Sequence, residues 1–276
     1  MRTPIYICAS LLAVGLTGFA QEATGDKVNV PLSDPSRPAV VHASLLNGGI
    51  TVTGYNGKEV IVEAHARGRE AGKDAKTDRK AEGMHRLDSH GSGLSVEEQD
   101  NEVHIGVRTM NRTVDLNIQV PFNTSLKLRC MNDGDIKVEH VSGEVDVDDL
   151  NGGIKLLNIS GAAVAHSLNE DVVVTLDQVT PGKSMSFSTM NGDVDVTMPG
   201  NVKARVKLKS ENGAIYSDFD LHMEGGAGGP KVEETHGKEG HFRVQFDKGV
   251  YGTINGGGAE MQFTTFNGKI YLRAKK

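Results

Sequence analysis

The chain is 276 residues long, 37% hydrophobic and 24% charged, with 34 glycines, no tryptophan and only 5% aromatic residues. That composition can bury a core, and it suits many short strands and tight turns better than a helical core. The formal net charge of −6 disfavours nucleic acid and anionic membrane surfaces as partners.

Residues 1–20 read as a signal peptide. Arg2 supplies the positive start, Ile5 to Leu16 the apolar stretch, and Gly18-Phe19-Ala20 the small residues that place cleavage before Gln21. The apolar run is too short to span a membrane, and no later segment reaches spanning length. Cys8 lies inside the apolar run and not at its end, so it is not placed for lipid attachment. The expectation is a periplasmic or extracellular chain, cleaved near Ala20, with 29 basic and 36 acidic residues and a net charge of −7. Cys130 is then the only cysteine. It can form no intrachain disulfide and is expected to be a small buried hydrophobe.

Residues 21–39 carry Pro31, Pro35 and Pro38 and read as an extended linker. Residues 40–121 read as an N-terminal β region, opening with two strands around turns at Asn47 and Asn56. A charged, Ala-rich insertion at 67–83 interleaves Arg69, Lys73 and Lys76 with Glu70, Asp74 and Asp78, which makes a solvated helix or loop. Alternating strands follow at 93–98, 102–108 and 113–120.

Internal repetition dominates residues 122–276. Between 132 and 174 the pattern apolar-x-apolar-x-x-apolar-(Ser/Asn) recurs, with its first apolar position at 136, 145, 154, 163 and 172, nine residues apart. The corner residue alternates Ser142, Asn151, Ser160, Asn169, so the full repeat is eighteen residues. Apolar-x-apolar is a strand with one wet face, and Asn-Gly or Ser-Gly forces the bend after it. A nine-residue unit cannot bury its own apolar pair, but stacked turns bury a continuous ladder. The predicted class is therefore all-β, a right-handed parallel β-helix-like solenoid with an N-terminal β region. Antiparallel hairpins are the competing arrangement, since Asn-Gly steps also reverse a chain.

The corner asparagines Asn132, Asn151, Asn169, Asn191, Asn212 and Asn267 are expected to stack into a structural turn ladder, with Asn47 opening an earlier copy. A Gly-rich loop at 224–240 interrupts the repeat. It lacks the strand and helix that would make it a phosphate cradle.

No catalytic constellation emerges. The outward acids Glu144, Asp146, Asp148, Asp193 and Asp195 suggest an acidic cluster on one outer face, the last two repeating the first arrangement two rungs on. Such acids could serve a polysaccharide hydrolase or lyase, or bind Ca²⁺. The Gly-His-Gly step of polygalacturonase-like enzymes is missing, as is the second half of the Ca²⁺ nonapeptide. A solvated face is the simpler reading, with no catalytic residue, cofactor or metal ligand assigned. The ten histidines are scattered, and His85 and His90, as close in sequence as any two of them, show no zinc spacing.

The strand ending Val120-Pro121, the repeated Asn-Gly-Asp-Val-type turns such as Asn191 to Val194, and the closing Gly256-Gly257-Gly258 and Phe266-Asn267-Gly268-Lys269-Ile270 resemble the bacterial DUF4097 family of β-strand repeat proteins and candidate adhesins. The likeness covers residues 40–276. It implies a right-handed β-helix-like fold and an envelope setting, and no reaction. The leading expectation is a non-enzymatic exported module that binds an envelope glycan or protein through its outer faces. A polysaccharide-active enzyme and a purely structural or envelope-stress signalling module are the alternatives.

Overall fold

A computed structural model describes residues 25–67, 92–108, 112–223, 232–236, 242–246 and 249–276. The expected signal peptide, nearly all of the charged insertion and much of the Gly-rich loop lie outside the described residues.

The described residues form strands and no helix. The first are β1 (Asp26–Pro31), β2 (Ala39–Asn47), β3 (Ile50–Tyr55), β4 (Glu59–Ala66), β5 (Leu94–Gln99), β6 (Glu102–Val107) and β7 (Val114–Pro121). Next come β8 (Thr124–Asn132), β9 (Ile136–Glu139), β10 (Val145–Asp149), β11 (Ile154–Gly161), β12 (Ala163–Ser167) and β13 (Val172–Val179). Then follow β14 (Met185–Thr189), β15 (Val194–Pro199), β16 (Ala204–Ser210), β17 (Ile215–Ser217) and β18 (His222–Met223). The chain ends with β19 (Val232–His236), β20 (Phe242–Phe246), β21 (Val250–Ile254), β22 (Ala259–Thr265) and β23 (Ile270–Lys275).

Two large, mostly parallel sheets result. Sheet A has ten strands in the order β1-β4-β7-β3-β9-β11-β13-β15-β23-β17. Sheet B has eleven, in the order β18-β21-β16-β22-β14-β12-β10-β8-β2-β6-β5. The nine-residue spacing now has a physical meaning. One step carries the chain from one sheet to the other, and two steps return it beside itself. Ile136 pairs with Ile154, and Ile154 with Val172, in sheet A; Leu126 pairs with Val145, and Val145 with Ala163, in sheet B. All these pairings are parallel, so the hairpin arrangement fails for this stretch.

Strand alternation sends every second side chain inward. Val138, Leu156, Val174, Val196 and Leu272 line the core from sheet A, facing Leu128, Val147, Ala165, Phe187, Phe263 and Leu208 from sheet B, all fully buried. Bulk is balanced along the stack. The small Ala163 and Ala165 of β12 stand next to a rung carrying Phe187, whose ring lies 5.6 Å from that of Phe263. Large beside small fills the space without voids.

Sequence order and stacking order diverge at both ends. β22 and β23, near the C-terminus, insert between β14 and β16 and between β15 and β17. At the other end β2 and β3 lie between β6 and β8 and between β7 and β9. The first and last rungs of the chain are thus interior, hydrogen-bonded on both sides. Antiparallel strands flank the stack: β1 on β4 on β7 in sheet A, β5 on β6 and β21 on β16 in sheet B.

Four expectations change. Residues 26–31, read as linker, form β1, with Val30 buried on β4; its proline closes an edge strand, where no donor is missed. Residues 40–65 hold three strands and not two. No break in pairing falls at 121/122, because β2 and β3 pair directly with β8 and β9. Within the supposed Gly-rich loop, Val232–His236 pairs antiparallel with Phe242–Phe246.

Ile270→Ala tests the interior position of the last rung. Ile270 is fully buried and in register with both Val194 and Ile215. Chemical denaturation should show a loss of about 2–5 kcal/mol, whereas an edge position would give a loss well below that.

Candidate functional site

The corner where sheet B strands hand the chain to sheet A concentrates the polar chemistry. Three columns run along it, each with one residue per rung.

The outermost is the asparagine column. Asn151 Nδ2 donates to Asn132 Oδ1 at 2.8 Å, Asn169 to Asn151 at 2.7 Å and Asn191 to Asn169 at 3.0 Å. Asn267 donates to Asn191 at 2.8 Å, and Asn212 to Asn267 at 2.9 Å. All six sequence-selected asparagines stand in this one column. Their order follows the stack and not the chain, so Asn267 sits between Asn191 and Asn212. Asn47 extends the column beyond Asn132, at 3.4 Å.

The second column was not recognised as such in the sequence. Leu46, Met131, Leu150, Leu168, Met190 and Phe266 each precede one of the asparagines. Leu46, Met131, Leu150, Met190 and Phe266 are between 39% and 46% exposed, and Leu168 is half-buried. The repeat treats Leu150 and Leu168 as equivalent to Val141 and Ile159, yet those two are fully buried. The difference is backbone. His140 and Asn158 adopt φ of 58° and 57°, which turns the next residue back into the core. No such residue precedes Leu150 or Leu168, so strand alternation continues and they point outward.

The third column faces inward and closes the core with small polar groups. Cys130 Sγ donates to Gly48 O at 2.8 Å, Ser167 Oγ to Gly152 O at 3.1 Å, and Thr189 Oγ1 to Glu170 O at 2.8 Å. Thr265 Oγ1 donates to Gly192 O and Ser210 Oγ to Gly268 O, both at 2.8 Å. Each satisfies a carbonyl one rung away. Glycine is required beside them: a Cβ on Gly268 would lie 1.8 Å from Gly192 O, and one on Gly213 1.8 Å from Gly268 O. The Cys130 thiol is buried, and burial pushes its pKa up to about 12, which leaves it inert.

Asp149 is the exception in this column. Its Oδ1 accepts the Gly152 N–H at 2.8 Å, but Oδ2 is buried without a partner. A Cβ on Gly152 would lie 2.1 Å from Gly134 O and 2.7 Å from Asp149 Oδ2, the same arrangement in which Thr265 and Ser210 donate. A carboxylate has no proton to give Gly134 O; a carboxylic acid has. Burial raises the Asp149 pKa to about 6, so the group is poised to supply that donor only in acid.

The acidic cluster expected on one face is divided. Asp146 and Asp148 lie on β10 in sheet B, and Asp195 on β15 in sheet A, so they stand on opposite sides of the molecule. An odd number of sheet-to-sheet steps separates β10 from β15, and equal residue patterns do not reveal that parity. Four of the five acids are also engaged. Asp148 contacts Arg129, Glu144 pairs with Lys183 at 2.8 Å, and Asp195 holds Arg273 in a forked pair at 2.8 and 2.9 Å. Asp193 Oδ1 accepts the Lys269 N–H at 2.7 Å, and Asp171 Oδ1 accepts the Asp193 N–H at 2.7 Å, so both serve the turn.

Two shallow grooves mark the outer faces. One, of about 600 Å³, lies on sheet A around Arg67, Asp115, Asp135, Lys137 and Lys155. Burial pushes the Asp115 carboxyl up, but the forked Arg67 guanidinium and the Gly49 N–H hold it below the usual range. The other, of about 640 Å³, lies on sheet B. There His42 and His104 are register partners on β2 and β6, with rings stacked 4.5 Å apart. Glu102 is two residues from His104 on the same face, and one ligand atom from each of the three lies within 4.8 Å of the others. Burial first, then the charges of His104 and Lys127, lower the His42 pKa. His42 and His104 are 62 positions apart, so no spacing rule could pair them.

No family model and no curated protein sequence matches this chain. Its fold is similar to that in the crystal structure of a candidate cell adhesion protein from Clostridium sporogenes, with 13% identity and a TM-score of 0.51 over 91% of this chain and 100% of that one. A candidate adhesin from Bacteroides fragilis aligns over 91% of this chain and 97% of its own at 9% identity, with a TM-score of 0.32, too low to support an argument.

Two outcomes follow from the columns. Asn169→Ala removes one amide donated to Asn151 and one accepted from Asn191, and should cost about 1–2 kcal/mol in denaturant titrations. For Asp149, both states are protonated below the ordinary value of 3.8, and between 3.8 and about 6 only the folded chain holds the proton. Stability should therefore fall as pH rises through that window, by on the order of 3 kcal/mol from this group, and then level off. Asp149→Asn supplies a donor at every pH. It should raise the melting midpoint at pH 7.5 and flatten this part of the pH profile, and an unchanged profile would refute the assignment.

Proposed function

We propose that this chain is an exported, non-enzymatic envelope protein of adhesin type, and that its two sheets are the walls of one right-handed β-solenoid that presents a binding edge. The apolar column Leu46, Met131, Leu150, Leu168, Met190 and Phe266, exposed at every member but the half-buried Leu168, is the observation that carries this reading. Exposed apolar residues scattered singly need no explanation, but a line of them does. Rungs stack about 4.8 Å apart, so the column is a straight apolar rail beside a row of amides. Methionines adapt to varied surfaces, and the asparagines fix polar orientation.

The inward positions are filled by structural residues, and the outward acids Glu144, Asp148, Asp193 and Asp195 are in ion pairs or turn hydrogen bonds, which favours binding over hydrolysis. The fold likeness to the Clostridium sporogenes protein and the turn motifs of the DUF4097 resemblance point the same way. The apolar stretch at Ile5 to Leu16 supports export, which would put the rail outside the cytoplasm. An envelope glycan or an envelope protein is the class of partner that such a rail serves.

A glycan array and a pull-down from envelope fractions test this together, with Leu150→Lys/Met190→Lys as the comparison. Retention by the wild-type chain, reduced at least about tenfold in the charged variant, is expected. Equal retention by both would take the binding edge elsewhere, and polysaccharide cleavage lost on Asp148→Ala would replace the reading with an enzymatic one.

A further inference from the structure

We propose that His42, His104 and Glu102 form a binding site for a late first-row divalent cation, Zn²⁺ above all, on the outer face of sheet B. The site is separate from the apolar rail and does not depend on it.

Two imidazoles and one carboxylate are a donor set that suits zinc, and three protein ligands leave a fourth position open to water or a partner's side chain. The backbone fixes the convergence. His42 and His104 are direct register partners on adjacent parallel strands, and Glu102 lies two positions before His104, so all three project from the same side of the sheet. Their ligand atoms already lie within 4.8 Å of one another. A tetrahedral ion bound at about 2 Å needs its ligands roughly 3.3 Å apart, a closure that side-chain rotation achieves on an open face. Among the described residues, no hydrogen bond commits either imidazole elsewhere.

The charges around the site set its sign. Across sheet B in this register stand Glu97, His104, His42, Lys127 and Asp146. Three cationic side chains share the groove: Lys127 has Asp146 as its other register neighbour, Arg129 is drawn to Asp148, and Arg108 lies four positions past His104. Glu97 and Glu102 add negative charge at the opposite end. Gly106 has open space where a Cβ would be, so the side of the groove beyond His104 is clear for a fourth ligand.

The test is titration of the purified chain with Zn²⁺ alone by calorimetry, with Co²⁺ absorption as a second readout. One equivalent should bind at this site with micromolar affinity or better. His42→Ala and His104→Ala should each weaken it by about tenfold or more, the double variant should abolish it, and Glu102→Gln should weaken it less. His166→Ala, whose ring is bonded to Ser188 at 2.6 Å on the same sheet, should leave it intact. The variants lie on an exposed face, so metal-free melting midpoints should match the wild type. Bound Co²⁺ should give the intense visible bands of a four-coordinate site. No uptake of Zn²⁺, wild-type uptake by the double variant, or the weak bands of six-coordinate Co²⁺ would each overturn the proposal. Loss of Zn²⁺ binding with retention on the array unchanged would leave the apolar rail standing.

Discussion

Everything in this molecule depends on the fact that one short strand cannot bury its own apolar pair. A strand such as Ile136–Glu139 offers two inward side chains, and alone they would remain wet. Parallel pairing at an eighteen-residue offset sets Ile136 on Ile154 on Val172, while the next sheet lays its own ladder across the gap. The gain is collective: hydrophobic burial accumulates only as rungs are added. This explains why the interior is almost wholly Val, Ile, Leu and Ala, and why bulk can shift between neighbouring rungs, as from Ala165 to Phe187.

Such a stack has two weak places, its corners and its ends. At the corners the chain must turn with buried carbonyls that no strand partner satisfies. The inward thiol and hydroxyls of Cys130, Ser167, Thr189, Thr265 and Ser210 meet them from within, and the asparagine amides tie successive turns from without. At the ends, parallel strands would expose open edges that invite association. Antiparallel strands cover them in several places, and the first and last rungs of the chain are tucked inside the stack. The chain's closing segment therefore locks between rungs laid down earlier.

The regularity that builds the fold also sorts residues by task. Inward positions serve packing, and corner positions serve turns. For the proposed binding role there remain the apolar residue before every column asparagine except Asn212, and the outward rows of the sheets. The rail and the His42–His104 pair both arise from the same stacking, which converts one residue per rung into a continuous line or a close pair.

Much of this was legible in the sequence. The period of nine, the all-β class, the stacked asparagines and the burial of Cys130 follow from apolar alternation and from turn chemistry, which are local. Three things were not. The parity of sheet crossings decides whether Asp148 and Asp195 share a face, and it depends on a count of corners that irregular spacings conceal. The left-handed φ at His140 and Asn158 buries Val141 and Ile159 while the like-patterned Leu150 and Leu168 face water. And the pairing of β2 with β6, and of β22 with β14 and β16, joins segments far apart in the chain. It brings His42 to His104 and Asn267 between Asn191 and Asn212. The repeating unit is thus written locally, because strand and turn preferences act over a few residues. Which rung lies beside which is settled in three dimensions, by the shared burial of the whole ladder.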